Sequence, residues 1–218
     1  MSAAKQNRLL TAALAYARRG WAVFPLDGKR PFGGTHGHHD ATTDPKVIAA
    51  MWRDYPDANV GIRCDSATGP IVVDVDGPDG EDLVASLDLP PTREATSGRG
   101  RHLYFAPDGQ ALKRTIKLNG AKLDVLGDGG YVVAPPSIHP KTGRPYAWAS
   151  RAPLAPLPPA VRQLVPAPAT RQPAVPLPGA LLEGHKTESV YRRYAIVAEA
   201  DLREGVAKLA SMREVQRG

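Results

Sequence analysis

Residues 71–77, IVVDVDG, constrain this chain more than any other stretch. The isoleucine and valines suit a buried strand, because β-branched side chains pack well on a pleated surface. Yet Asp74 and Asp76 sit two positions apart within it. Successive strand residues alternate between faces, so both carboxylates project from one face, beside Val72. Like charges that close repel, and burial would raise the cost further. A divalent cation with hard-oxygen coordination would relieve the repulsion. A solvated strand end would do so by leaving both carboxylates in water. An EF-hand does not fit, since its fifth position would be Pro78 and its twelfth Ala85.

A third carboxylate favours the metal reading. In KLDVLGDGGYVV, Asp124 lies in a second apolar strand and faces away from Leu123 and Val125. Three strand-borne carboxylates from separate segments are what a two-metal phosphoryl-transfer site needs. One ion activates the attacking oxygen and the other holds the leaving phosphate. Asp128, in GDGG, reads instead as a turn residue.

Two further segments suit an anion. In TSGRGRHLYF, Ser97, Gly98 and Gly100 permit a tight loop whose N–H groups can face a phosphate, with Arg99 and Arg101 adding charge. A strand is expected from about His102, and a surface hairpin with incidental arginines is the plainer alternative. In GKRPFGGTHGHHDATTD, Lys29 is the best candidate for a nucleotide contact. A zinc site from His36, His38 and His39 lacks a second ligand cluster, and a basic loop is the simpler reading. The P-loop pattern G-x-x-x-x-G-K-[ST] occurs nowhere in the sequence.

Composition narrows the partners. The 218 residues carry a net charge of +6, which favours a polyanion such as nucleic acid or nucleotide. Cys64 is the single cysteine, so neither a disulfide framework nor a Cys-rich zinc site is expected within the chain. The first residues are interrupted by Arg8, Arg18 and Arg19 and do not read as a signal peptide. No run approaches the ~20 apolar residues of a membrane span. A soluble cytoplasmic protein is expected, with no membrane partner.

Helices and strands mix along the chain, which indicates an α/β or α+β class. Helices are expected at RLLTAALAYARRG, at DPKVIAAMWRDYP with Asp44 as its cap, and after a turn at GPDGEDLVASLD. Strands are expected at WAVFPL, ANVGIRC, PIVVDVD, on both sides of GDGG, and at RPYAWA. From about residue 151 prolines and alanines dominate. Apart from a short docking piece at PAVRQLV, that region reads as extended. The expected division is a catalytic domain over 1–165, a Pro/Ala-rich linker over 166–180 and a helical tail over 181–218.

In this order and spacing, GWAVFPLDGKRP, DATTDPKVIAAMW, NVGIRC, IVVDVDG, TSGRGRHLYF, LDVLGDGGYVVAPPS and YAW resemble the bifunctional primase/polymerase (prim-pol) domain of the archaeo-eukaryotic primase superfamily. The resemblance covers roughly residues 8–165. It implies the archaeo-eukaryotic primase fold: an RRM-like catalytic sheet packed with an N-terminal α/β unit, here followed by the helical tail. It implies template-directed nucleotidyl transfer with Mg²⁺ or Mn²⁺. Carried over by position, Asp74, Asp76 and Asp124 are the metal ligands. His102 is a catalytic residue and phosphate contact, and Lys29, Ser97 and Arg99 help bind the nucleotide.

The resulting expectation is a DNA primase/polymerase joining NTPs or dNTPs to a 3′-hydroxyl on a single-stranded DNA template with a primer. The resemblance places it in plasmid, phage or mobile-element replication. Lacking a P-loop, the chain would rely on a separate helicase. A non-catalytic nucleic-acid or nucleotide-binding replication module of the same fold is the alternative. A metal-dependent nuclease is a third reading that three carboxylates alone leave open.

Overall fold

Helix α1 (Ala3–Ala17) buries Leu9, Ala13 and Tyr16, one stripe at helical spacing. After it Gly20, at φ 82°, takes the left-handed conformation that lets the chain turn back toward Trp21. Helix α2 (Pro45–Asp54) starts as expected. The Asp44 carboxylate accepts the Lys46 and Val47 N–H groups, and Pro45 fits the first turn, where its missing N–H is not needed. Ile48 and Trp52 form its buried face, and each contributes on the order of 1.5–3 kcal/mol.

The computed structural model describes residues 3–116 and 122–165, which fall within one unit, Met1–Pro168. The linker expected at 166–180 and the tail expected at 181–218 lie outside the described residues.

The described residues form a mixed α/β fold with two sheets. The first has four strands in the order β2 (Arg30–Pro31), β1 (Val23–Asp27), β3 (Asn59–Cys64), β8 (Gly130–Ala134), all antiparallel. A 3₁₀ turn at Gly37–Asp40 follows β2. The second sheet runs β7 (Leu123–Leu126), β4 (Ile71–Asp76), β6 (Gly100–Ala106), β5 (Arg93–Thr96), β9 (Ala147–Ser150), again antiparallel. β10 (Ala155–Pro156) runs parallel to the end of β6.

Strand β4 is buried on both faces, which is why it is so apolar. Ile71, Val73 and Val75 pack with Leu103, Phe105, Leu123 and Val125 under α3 (Gly77–Ser86) and α4 (Pro159–Leu164). On the other face Val72, Tyr104 and Leu126 join α1, α2 and the first sheet in the main core. Asp74 and Asp76 therefore lie on the face that looks toward the first sheet.

The structure corrects several expectations. Arg93–Thr96 forms a strand where none was expected, and β6 begins at Gly100, two residues before His102. No separate turn precedes α3: Gly77, at φ 71°, leads straight from β4 into the helix. The strands flanking GDGG belong to different sheets. Residues 151–158 are not simply extended, because β10 pairs there and Leu157 is buried, while the docking piece expected at PAVRQLV is α4, which buries Val161 and Val165. Apolar side chains spaced through a proline-rich stretch supply that contact.

Candidate active site

The register of the second sheet sets the site. Asp74 pairs with Asp124 across the β4–β7 ladder and with His102 across the β4–β6 ladder. Directly opposed residues share a face, so Asp124, Asp74 and His102 form a row across three strands. His102 is buried, with its Nε2 3.3 Å from Asp74 Oδ1. Its Nδ1 is also buried and has no hydrogen-bond partner among the described residues. Asp76 lies one step further along the same face. It occupies the N-cap position of α3, yet its side chain makes no capping hydrogen bond.

Two cavities open on these carboxylates. One, of about 410 Å³, is lined by Asp74, Asp124 and His102 from the second sheet, and by Lys29, Tyr131 and Tyr146 among others. The second, of about 520 Å³, is lined by Asp76 with Lys29, Arg30, Ser97, Arg99 and Lys141. Its four cations outnumber its two carboxylates, Asp27 and Asp76, so it suits an anion. Both volumes fall in the usual range for small-molecule sites, about 300–1,000 Å³. Lys29 lines both.

Three turns build the basic cavity. Ser97 and Gly100 close the β5–β6 turn, Ser97 N–H donating to the Gly100 carbonyl and Gly100 N–H to Ser97 Oγ. Asn59 ties the other two together. Its amide donates to the carbonyls of Gly28 and Ile138, and its Oδ1 accepts the Ile138 N–H. Gly28, at φ 60°, lies close to Pro140, and a Cβ there would stand 3.2 Å from the proline ring.

The site brings Lys29, Ser97, Arg99 and Asp76 to one cavity, and Lys29, Asp74, Asp124 and His102 to the other. Arg101 does not join them. Its guanidinium donates to Glu81 on α3 and to Glu94 on β5, and those partners hold it above the usual arginine range. Asp128 has the turn role read from the sequence. Its carboxylate accepts from Ser66 and from the Leu112 N–H.

Sequence reasoning missed His139, Lys141, Arg114, Tyr146 and the clamp Asn59. No periodicity marks them, and only tertiary proximity gives them a role. His38, read as an ordinary loop residue, lines the carboxylate cavity and packs at a tilt against His39, with ring centroids 4.1 Å apart. Burial, then the neighbouring His39 and Arg63, keep its imidazole below the ordinary range. Burial, then Asp74 and Asp76, push the Tyr146 phenol well above its ordinary range.

The donor set fits hard divalent cations. All three aspartates offer oxygen, share one face and border cavities, and two of them oppose each other as like charges. Among the described residues, no three His, Cys, Asp or Glu side chains converge on a single point. The carboxylates are thus aligned by register along a face and not gathered into a closed cage. Among the described residues, no helix is long and apolar enough to cross a membrane.

Residues 13–160, about two thirds of the chain, match the family model described as bifunctional DNA primase/polymerase, N-terminal. No curated protein matches the chain. The matched span runs from the middle of α1 into α4 and includes every residue of both cavities. The chain belongs to the Prim-Pol family of bifunctional DNA primase/polymerase N-terminal domains.

Proposed function

We propose that this protein is a template-directed DNA primase/polymerase whose reaction centre is the Asp74–Asp124–His102 row and whose triphosphate site is the adjoining basic cavity. The family implies a divalent-metal nucleotidyltransferase acting on DNA and nucleotides. The observation that carries the reading is the continuity of carboxylates and cations. Asp74 and Asp124 border one cavity, Asp76 borders the next, and Lys29 lines both.

In the proposed reaction a 3′-hydroxyl oxygen attacks the α-phosphorus of a nucleoside triphosphate. A new P–O bond forms, the bond to the β-phosphate oxygen breaks, and pyrophosphate leaves with the hydroxyl proton released to solvent. Lys29 and Arg99 neutralise the triphosphate. Ser97 Oγ accepts the Gly100 N–H, which leaves its own proton to donate to a phosphate oxygen. His102 orients Asp74 and meets the nucleotide from the carboxylate side. Asp74, Asp76 and Asp124 would hold Mg²⁺ or Mn²⁺, which when bound lowers the pKa of the attacking hydroxyl and offsets charge on the leaving pyrophosphate.

The alternative, a non-catalytic nucleotide- or nucleic-acid-binding module, gains some support from the spread of the carboxylates along the face. A labelled primer–template incubated with NTPs or dNTPs and Mg²⁺ or Mn²⁺ separates the readings. A polymerase lengthens the primer, a binding module leaves it unchanged, and a nuclease shortens it.

A further inference from the structure

We propose that His139 is a nucleotide-binding residue whose ring, fixed as the Nε2–H tautomer, donates a hydrogen bond to the β- or γ-phosphate in the basic cavity. This rests on the reading of that cavity as a nucleoside-triphosphate site.

Three observations carry it. His139 is 3% exposed and lines the cavity with Lys29, Ser97 and Arg99. Its Nδ1 accepts the N–H groups of Lys141 and Thr142 at 3.3 and 3.2 Å. An acceptor nitrogen carries no proton, so the neutral ring carries its proton on Nε2. Finally, Gly98 packs directly on the ring, and a Cβ there would stand 2.4 Å from Cδ2 and 2.7 Å from Nε2. The face of the ring therefore packs on the turn that carries Ser97 and Arg99, and its Nε2 edge borders the same cavity.

Burial, then the charges of Lys29 and Arg99, hold His139 below the ordinary imidazole range, so it stays neutral near neutral pH. A neutral donor in a cationic cavity adds direction rather than charge. Because the ring is pinned by its own loop, little freedom is lost when a phosphate binds.

A purely structural histidine would also use Nδ1 to staple the 139–142 loop, and two substitutions separate the roles. In His139→Asn the amide oxygen replaces the Nδ1 acceptor but no donor reaches the Nε2 position. In His139→Gln the amide nitrogen replaces the Nε2 donor and the loop acceptor is lost. Calorimetry on the full chain in Mg²⁺ buffer would compare a non-hydrolysable dNTP with the corresponding dNMP.

The expected result is triphosphate affinity weakened about tenfold or more in His139→Asn, with dNMP affinity unchanged. His139→Gln should stay within about threefold of wild type for both ligands, because the donor is kept. Gly98→Ala, which displaces the ring, should match His139→Asn. The proposal is overturned if His139→Asn binds triphosphate like wild type, or if it loses both ligands equally. If Lys29→Gln and Arg99→Gln weaken triphosphate binding while His139→Asn does not, only the role of His139 falls. If the wild-type protein binds no triphosphate, the reading of the cavity falls and this inference with it.

Discussion

Asp74 and Asp124 stand directly opposite each other across the β4–β7 ladder. Neither sits at a frayed strand end, since Val73–Val125 and Val75–Leu123 pair on either side. Like charges directly opposed in a ladder destabilise it, by an amount on the scale of cross-strand pair energies, roughly 0.2–1 kcal/mol. The opposed pair lies beside the cavity that both carboxylates line.

Asp124→Asn should therefore separate stability from activity. Unfolding free energy from urea denaturation should change by no more than about 1 kcal/mol, the scale of a cross-strand pair. Primer extension should fall by about a hundredfold or more, since even partners one step removed from a metal cost roughly 10–100-fold. A large loss of both together would mean that Asp124 is structural.

Arg99 and Arg101 lie two residues apart yet should behave oppositely. Arg101 bridges Glu81 and Glu94 at 2.8–3.2 Å, whereas Arg99 lines the basic cavity. Arg101→Met should lower stability by no more than about 1 kcal/mol, because these pairs are partly exposed. Triphosphate affinity should not change. Arg99→Gln should leave the urea midpoint in place and weaken triphosphate binding about tenfold.

Gly100 tests the β4–β6 pairing. A Cβ there would meet the Val75 carbonyl oxygen at 1.9 Å, and backbone cannot move aside as a side-chain tip can. Gly100→Ala should cost about 1–3 kcal/mol or more, read as a lower urea midpoint, through local separation of the strands that bear Asp76 and His102.

Asp128 supplies the pH dependence. Burial raises its pKa, but hydrogen bonds from the backbone N–H groups of Ser66 and Leu112 and from the Ser66 hydroxyl outweigh it, leaving the pKa below the ordinary value. The folded protein thus binds this proton more weakly than the unfolded chain. Its contribution is full above the unfolded carboxylate pKa, about 3.9, and is lost as pH falls through the folded value. Asp128→Asn should lower stability at neutral pH and flatten the acid limb of a stability–pH curve, with little change in primer extension.

What the sequence made legible was local. The Asp44 cap, the apolar stripe of α2 and the facing of Asp74, Asp76 and Asp124 follow from periods of 3.6 and 2 and from capping chemistry within a few residues. The sheet assignment was not legible. Residues 127–129 read as a turn with a strand on either side, but nothing local says that they carry the chain from the second sheet to the first. Arg101 looked like loop charge because its partners, Glu81 and Glu94, lie on other elements. His139 left no signal, since its place depends on contact with Gly98, far away in sequence. Register places the carboxylates and sequence periodicity reports it, whereas the second cavity is built by three turns that meet only in the folded chain.

The most direct measurement is extension of a labelled primer on a single-stranded DNA template, wild type against Asp74→Asn, in matched Mg²⁺ and Mn²⁺ buffers with dNTPs and with NTPs. The expected result is template-dependent lengthening by the wild-type protein that disappears in the folded Asp74→Asn variant with either ion. Undiminished, metal-dependent lengthening by Asp74→Asn, or no lengthening by the wild-type protein with any nucleotide or ion, would contradict the assignment of the Asp74–Asp124–His102 row as the reaction centre.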